Sequence, residues 1–117
     1  MRHKLKQFSE ALEKFSEFSE LLFSWHFLDN TLLQSVSESQ RTHSCGFCLK
    51  VKQEPSRANL RACIREHHTD AFLQALKERS PFIRRCHAGA VELAVPVFAG
   101  GDFIGVLFAG TFSDPSS

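Results

Sequence analysis

Several residue types are scarce or absent in this sequence. It has no tyrosine, one tryptophan and one methionine among 117 residues, so 12 phenylalanines supply nearly all of its aromatic surface. No apolar run approaches the ~18–20 residues of a membrane-spanning helix, which argues against a membrane protein. No basic run is present either, and 14 Lys and Arg against 13 Asp and Glu leave a net charge of +1. Because phosphate binding needs clustered positive charge, this segment is not expected to bind nucleic acid directly.

A secretory signal is also missing. The basic residues at positions 2–6 are not followed by a long apolar stretch with a small-residue cleavage site. We therefore expect a cytoplasmic location, where clustered thiols indicate metal or redox chemistry more often than structural disulfides. The length predicts one domain, and the 43% hydrophobic and 23% charged fractions are those of a folded protein.

Residues 4–23 have the periodicity of an amphipathic helix. Its apolar residues recur at three- and four-residue steps, namely Leu5, Phe8, Leu12, Phe15, Phe18 and Leu22. We assign residues 1–23 to an N-terminal amphipathic helix. The pattern leaves open whether the helix packs on its own domain or on a second copy in a homodimer.

The middle of the chain predicts a hairpin and two short helices. Residues 24–36 contain two apolar runs around an Asp-Asn pair at 29–30, which suits a tight turn. The helices cover residues 56–67 and 70–79, with Thr69 as the N-cap of the second.

From residue 82 onward the pattern changes to strands, over residues 82–85, 90–98 and 103–112. The last two are joined by a hairpin turn at 99–102, which contains two glycines. The predicted fold is α+β, an antiparallel sheet of about five strands with helices on one side. A small pocket between sheet and helices fits this order.

The four cysteines are spaced C-x2-C-x14-C-x22-C, at Cys45, Cys48, Cys63 and Cys86, and His87 follows the last one. The C-x2-C pair has the spacing at which two thiolates from one turn bind one ion. We expect a shared metal site, with zinc favoured over an iron–sulfur cluster and His87 as a substitute ligand. A redox-active Cys45–Cys48 pair and four unrelated buried thiols remain alternatives.

No catalytic arrangement is evident. Zinc deaminases need H-x-E followed by P-C-x-x-C, and here the C-x2-C comes first. Cys86 and His87 are adjacent at a strand end, so their side chains point apart. We therefore expect a non-catalytic protein.

Three polar or amphipathic residues lie within apolar surroundings. Strand alternation places Glu92 either as a polar anchor in a pocket or as a carboxylate that is partly solvated or paired with an arginine such as Arg84. Trp25 is expected in the core, and His26 on a solvent-facing strand position.

Four segments together resemble the PocR sensory domain: C-G-F-C at 45–48, R-A-C-I-R at 61–65, C-H-A-G-A-V-E-L at 86–93, and V-P-V at 95–97 followed by G-G-D-F-I-G-V-L-F-A-G at 100–110. The similarity runs in order over about residues 20–112 and includes all four cysteines. It implies a PAS-like fold that senses small organic molecules such as propanediol. It also implies a bacterial transcription regulator, often with an AraC-type DNA-binding module.

On this resemblance we expect a sensory domain over residues 24–112, with the helix of residues 1–23 as its dimerisation or signal-relay element. The composition predicts a disordered tail over 113–117. The effector would be a diol, alcohol, sugar or related metabolite. The predicted ligand-binding residues are Trp25, Phe27, Phe82, Glu92, Phe98 and Phe108. The predicted partners are this effector and a second copy of the chain, with the DNA-binding module elsewhere in the full-length protein. The alternative function is a metal- or redox-responsive switch built on the four cysteines.

Overall fold

The structure is a computed structural model that describes residues 2–19, 21–41, 58–85 and 89–112. Helix α1 (Arg2–Ser19) and strand β1 (Leu22–Phe27) come first, followed by two 3₁₀ helices, Asn30–Ser35 and Glu38–Gln40. Helices α2 (Ala58–Arg65) and α3 (Ala71–Glu78) flank a π-helical turn (Glu66–Asp70), and strands β2 (Phe82–Arg85), β3 (Val91–Ala99) and β4 (Asp102–Phe112) complete the order. Within this described part, no helix combines the length and apolar content needed to cross a membrane.

The strands form one antiparallel sheet in the order β1-β4-β3-β2. The α+β class is confirmed, although the described residues contain four strands in the sheet instead of about five. The three predicted C-terminal strands are confirmed to within one residue at each end. The turn between β3 and β4 is also confirmed: Gly100 and Gly101 have φ angles of 58° and 88°. Two positive φ angles define the hairpin turn that matches strand twist, and glycine adopts them without strain.

Helices cover both faces of the sheet, where the sequence predicted one. On the first face, here called the α1 face, Leu5 of α1 and the first 3₁₀ helix pack on β1 and β4. On the opposite face, here called the α3 face, Ala71, Phe72 and Ala75 of α3 pack on the strands. The buried strand residues on the α1 face are Trp25, Phe27 and Leu107, and those on the α3 face include Phe82, Ala94, Val106 and Phe108. The sheet is therefore the central layer of three.

The predicted hairpin over residues 24–36 is wrong in its second half. β1 ends at Phe27, and Asn30–Ser35 is a 3₁₀ helix that Asp29 caps, with Asp29 Oδ1 accepting from the backbone N–H of Thr31 at 3.0 Å. Aspartate is favoured both in tight turns and at N-caps, so its presence did not distinguish the two. Leu32 and Val36, four residues apart, are both buried, which is a helical and not an alternating spacing.

The two helices predicted over 56–67 and 70–79 are one continuous helical segment. α2 passes into α3 through the π-helical turn Glu66–Asp70, and the N–H of Ala71 bonds to the carbonyl of Glu66. Thr69 lies inside that turn, so its assignment as an N-cap is wrong. A π turn carries one extra residue per turn and has no sequence signature of the kind that marks a cap.

The apolar stripe of α1 divides into two. Leu5 and Ser9 are buried and Leu12 is half-buried against the α1 face. Phe8 and Phe15 are 50% and 51% exposed, and Phe18 is 88% exposed. The helix therefore packs on its own domain through one line of residues and presents a second, aromatic line outward.

Candidate functional site

Polar residues are concentrated at one end of the α3 face. Glu92 of β3 is 2% exposed, so a partly solvated position is wrong for this carboxylate. Its cross-strand neighbours are Gly110 of β4 and Arg84 of β2, and Gly110 in turn pairs with Leu22 of β1. Residues directly opposite in antiparallel strands project to the same face, so Arg84 and Glu92 share this end of the sheet.

Gly110 occupies a special position beside Glu92. The register shifts there, because Val91 pairs with Phe112 and Glu92 with Gly110, so β4 carries one extra residue. Gly110 has a φ of 137°, a conformation that favours glycine. The row Leu22–Gly110–Glu92–Arg84 thus has a position without a side chain next to the buried carboxylate. β-bulges are frequent beside binding sites, where they redirect side chains.

Arg84 connects this row to the π-helical turn. Its Nη1 donates to the carbonyl oxygen of Glu66 at 2.8 Å, and its Nη2 lies 3.5 Å from Glu66 Oε2. Both side chains are about nine-tenths buried. Within the described part of the chain, the Nε–H of Arg84 is buried without a hydrogen-bond partner. A buried donor left unsatisfied is costly, and in native structures it often marks a place where water or a ligand binds.

The next rows of the α3 face are mostly apolar. Ser24, Phe108, Ala94 and Phe82 lie in one row across all four strands, and Phe108 is 1% exposed. His26 is 8% exposed, so the prediction of a solvent-facing position is wrong. Its ring contacts that of Phe108 edge to face, with centroids 5.0 Å apart. The charged end of the face therefore adjoins an aromatic floor.

The structure divides the predicted ligand-binding residues between the two faces. Phe82, Glu92 and Phe108 share the α3 face, whereas Trp25 and Phe27 stack on each other at 5.4 Å on the α1 face. The sheet thus separates residues that were assigned to one pocket.

Phe98 lies apart from both groups, near the β3–β4 turn. Its ring contacts Phe103, and the guanidinium of Arg79 lies 4.7 Å from its centroid.

Sequence reasoning missed Ser24, His26 and Glu66 as buried polar residues of the α3 face. Ser24 and His26 belong there because β1 pairs with β4 in a register that places Ser24 opposite Phe108. The alternation within β1 separates Trp25 from its two neighbours, but only the pairing register assigns each set to a face. Glu66 reaches the site through the π-helical turn, which the sequence did not indicate.

The predicted metal ligands lie outside what the structure describes. Cys45, Cys48, Cys86 and His87 are outside the described residues, and Cys63 is in α2, where its side chain is not described. Over residues 2–19, 21–41, 58–85 and 89–112, no group of three or more His, Cys, Asp or Glu side chains is arranged to hold a metal. The zinc site stays a prediction.

Comparison with known proteins gives one match. A family model described as the sensory domain found in PocR matches residues 4–115. Neither the curated proteins nor the solved structures that were searched gave a match. The matched range contains nearly the whole chain, including the polar end of the α3 face and all four cysteines. The chain therefore belongs to the PocR sensory-domain family.

Proposed function

We propose that the chain is the small-molecule sensor of a bacterial transcription regulator and that it binds a hydroxyl-bearing effector at the polar end of the α3 face. The observation that carries this proposal is the charged group buried there, Glu92 with Arg84 and Glu66, next to an aromatic floor. Burying charges is costly and adds little to stability compared with apolar packing. Such a group is better explained by recognition of a polar ligand than by folding.

The chemistry of the group favours a diol, alcohol or sugar. A carboxylate such as Glu92 is an acceptor only, whereas the free Nε–H of Arg84 is a donor. A hydroxyl group can donate to the first and accept from the second. The carbon skeleton of the effector would contact Phe108 and Phe82, which lie in the adjoining row.

A sensor of this kind needs no chemical step. The effector acts if it binds one arrangement of the domain more tightly than another. Arg84 links β2 to the π-helical turn between α2 and α3. An effector that bonds Arg84 would therefore act on the position of these helices relative to the sheet.

The experiment is a thermal-shift titration of the protein with 1,2-propanediol, glycerol, ethanol and glucose. We expect at least one of these to raise Tm saturably at millimolar concentration. Glu92→Gln should weaken that compound about 10-fold or more, because a hydrogen bond to a charged group contributes ~1.5–3 kcal/mol. Glu10→Gln, on the exposed side of α1, is the matched control and should bind as the parent does.

Two results would contradict the proposal. If no hydroxyl compound shifted Tm, the effector class would be wrong. If Glu92→Gln folded and bound as tightly as the parent, the site would be wrong.

We also propose that the protein is a homodimer and that its DNA-binding module lies elsewhere in the full-length regulator. Phe8, Phe15 and Phe18, with Ala11 between them, follow the first-and-fourth spacing of a heptad repeat and are all exposed. That spacing suits pairing with a second helix of the same kind. Sedimentation of Phe15→Ser should show a monomer where the parent shows a dimer. A monomeric parent would refute this proposal.

The alternative function is a metal- or redox-responsive switch that uses the four cysteines. The Arg84–Glu66 contact favours it, since Cys63 precedes Glu66 by three residues and Cys86 follows Arg84 by two. This contact joins β2, which Cys86 follows in the sequence, to the helical segment that contains Cys63. One equivalent of zinc that survives dialysis would support the switch. Free thiols without metal would count against the metal form of it.

A further inference from the structure

A cavity of about 610 Å³ lies on the α1 face, away from the polar end described above. The first two turns of α1 form one wall, and β1 with the ends of β3 and β4 forms the other. Its lining residues are Lys4, Leu5, Phe8, Trp25, Val95, Pro96, Val97, Phe98, Ala99, Gly100, Ile104 and Leu107. Small-molecule sites in proteins span roughly 300–1,000 Å³, so the volume is in the range for an organic ligand.

The lining is apolar except at one point. Of the residues that line the cavity in the described chain, Lys4 alone carries a charge, and it lies near the start of α1. Trp25 and Phe8 meet edge to face with centroids 5.9 Å apart, so aromatic surface borders the cavity. An apolar space with one cation at its edge suits a ligand with an apolar body and one negative group. It offers no lining carboxylate for a cationic ligand.

We propose that this cavity is a second binding site, for an amphipathic carboxylate such as a medium-chain fatty acid. The apolar body contacts Trp25 and the aliphatic residues of β3, and the carboxylate lies near the ammonium group of Lys4. This site is independent of the proposed effector site, because the sheet separates the two faces.

Occupation of the cavity has a consequence for α1. At this end the helix contacts the sheet through the buried Leu5 and through the edge of Phe8 on Trp25. A ligand between helix and sheet adds apolar contacts to both. We therefore expect the bound carboxylate to stabilise the docked position of α1.

Trp25 provides a direct measurement, because it is the single tryptophan of a chain without tyrosine. The intact protein is titrated with octanoate, 1-octanol and octylammonium while Trp25 fluorescence is recorded. These probes share one apolar body and differ in charge. We expect a saturable change with octanoate, weaker binding of 1-octanol, and the weakest binding of octylammonium. Equal affinity for all three would overturn the assignment of an anion, and no saturable response to any of them would overturn the site.

Three variants test where the probe binds. Lys4→Gln should weaken octanoate roughly two- to five-fold and leave 1-octanol unchanged, as expected for an exposed ion pair. Lys14→Gln, also on α1 but away from the cavity, is the matched control. Ala99→Phe fills the cavity and should weaken octanoate at least ten-fold, with far-UV circular dichroism confirming that the variant folds.

A further variant separates the two sites. Glu92→Gln should leave octanoate affinity unchanged, whatever it does to hydroxyl compounds. Loss of octanoate binding in a folded Glu92→Gln protein would overturn the independence of the cavity. Isothermal titration calorimetry measures octanoate binding without depending on fluorescence. An octanoate affinity that is unchanged in Ala99→Phe by both methods would overturn the location of the site in this cavity.

Discussion

The two faces of the sheet bury polar groups in different ways. On the α1 face the polar groups are neutral and bond to one another: Gln40 Oε1 accepts from Trp25 Nε1 at 2.8 Å and from Ser9 Oγ at 2.7 Å, and Gln40 Nε2 donates to the carbonyl of Ser9 at 2.9 Å. On the α3 face three of the polar groups are charged, namely Glu92, Arg84 and Glu66, and a donor of Arg84 has no partner among the described residues.

In this neutral network the hydroxyl hydrogens of Ser9 and Ser37 each have an acceptor. Ser9 Oγ accepts from the backbone N–H of Ser37 at 2.8 Å. The hydroxyl of Ser37 donates to Glu13 Oε2 at 2.6 Å. The single hydroxyl proton of Ser9 is directed to Gln40 Oε1 at 2.7 Å, the nearer of its two acceptors, since Ser37 Oγ is 3.2 Å away. Ser9, Gln40 and Trp25 thereby join α1, the second 3₁₀ helix and β1.

The difference separates a structural network from a candidate recognition site. A fully bonded neutral network fixes a unique packing and leaves little for a ligand to bind. A charged group with an unsatisfied donor is costly in the free protein, and that cost falls when a ligand supplies the missing partner. The first network should therefore respond to mutation through stability, and the second mainly through binding.

The largest expected effect on stability comes from the aromatic floor of the α3 face. Phe108→Ala should lower the free energy of unfolding by ~3–5 kcal/mol, because Phe108 is 1% exposed and its removal leaves a cavity in the core. Urea denaturation measures this change. Leu73→Ala is the matched control, since Leu73 is 64% exposed on α3, and its unfolding midpoint should match that of the parent. A small effect for Phe108→Ala would mean that the floor is loosely packed.

The second prediction concerns the neutral network of the α1 face. Gln40→Leu removes three hydrogen bonds at once and leaves Trp25 Nε1 buried without its acceptor, while Ser9 Oγ keeps only the more distant Ser37 Oγ, at 3.2 Å, as an acceptor. We expect a loss of ~2–3 kcal/mol in the free energy of unfolding, which is the cost of unsatisfied buried donors. The emission maximum of Trp25 should also shift.

Gln34→Leu is the control for this variant, because Gln34 is exposed in the first 3₁₀ helix. It should change neither stability nor fluorescence appreciably. If Gln40→Leu retained full stability but lost binding of the hydroxyl effector, the division between a structural and a recognition network would be wrong.

The sequence predicted the C-terminal half of the sheet well, for a physical reason. β3 and β4 are long, rich in Val, Ile and Phe, and joined by two glycines, so period, propensity and turn chemistry agree. β1 is also rich in aromatic residues, but its predicted partner strand is a 3₁₀ helix. There the turn signal of Asp29 was ambiguous, and burial of Leu32 and Val36 on the α1 face decided the outcome.

The candidate site was only partly accessible to sequence reasoning. The prediction for Glu92 had a basis, since a carboxylate within an apolar strand calls for an explanation. Its surroundings depended on pairing register, which set Arg84 and Gly110 on either side of it, and on a π-helical turn that brought in Glu66. The sequence suggested Arg84 as one possible partner, but Gly110 and Glu66 could not be predicted, because register and π turns follow from tertiary packing and not from local pattern.

The smallest expected effect on stability comes from the titration of Asp29, at the edge of the α1 face. Bonds from the hydroxyl and then the backbone N–H of Thr31, with the nearby Arg2, lower the pKa of Asp29 below its ordinary 3.8. A lowered folded pKa adds stability that is present above the unfolded pKa and is lost as pH falls through the folded one. Below about pH 4, the contact of Arg2 and Thr31, which ties α1 to the first 3₁₀ helix, should therefore weaken.

The titration of Asp29 tests the packing of α1 without changing any residue of the α3 face. Thr31→Val removes the hydroxyl donor, so the pKa of Asp29, followed by NMR, should rise toward its ordinary value. In Asp29→Asn the acid decline of stability should be shallower than in the parent, whereas Asp102→Asn in the β3–β4 turn serves as the control for loss of one negative charge. If acid weakened hydroxyl-effector binding in Asp29→Asn as much as in the parent, the pH response would belong to the charged α3 face. If instead the 1-octanol response of Trp25 changed with pH in the parent but not in Asp29→Asn, the docking of α1 would be set from this edge, as the Arg2–Thr31 contact implies.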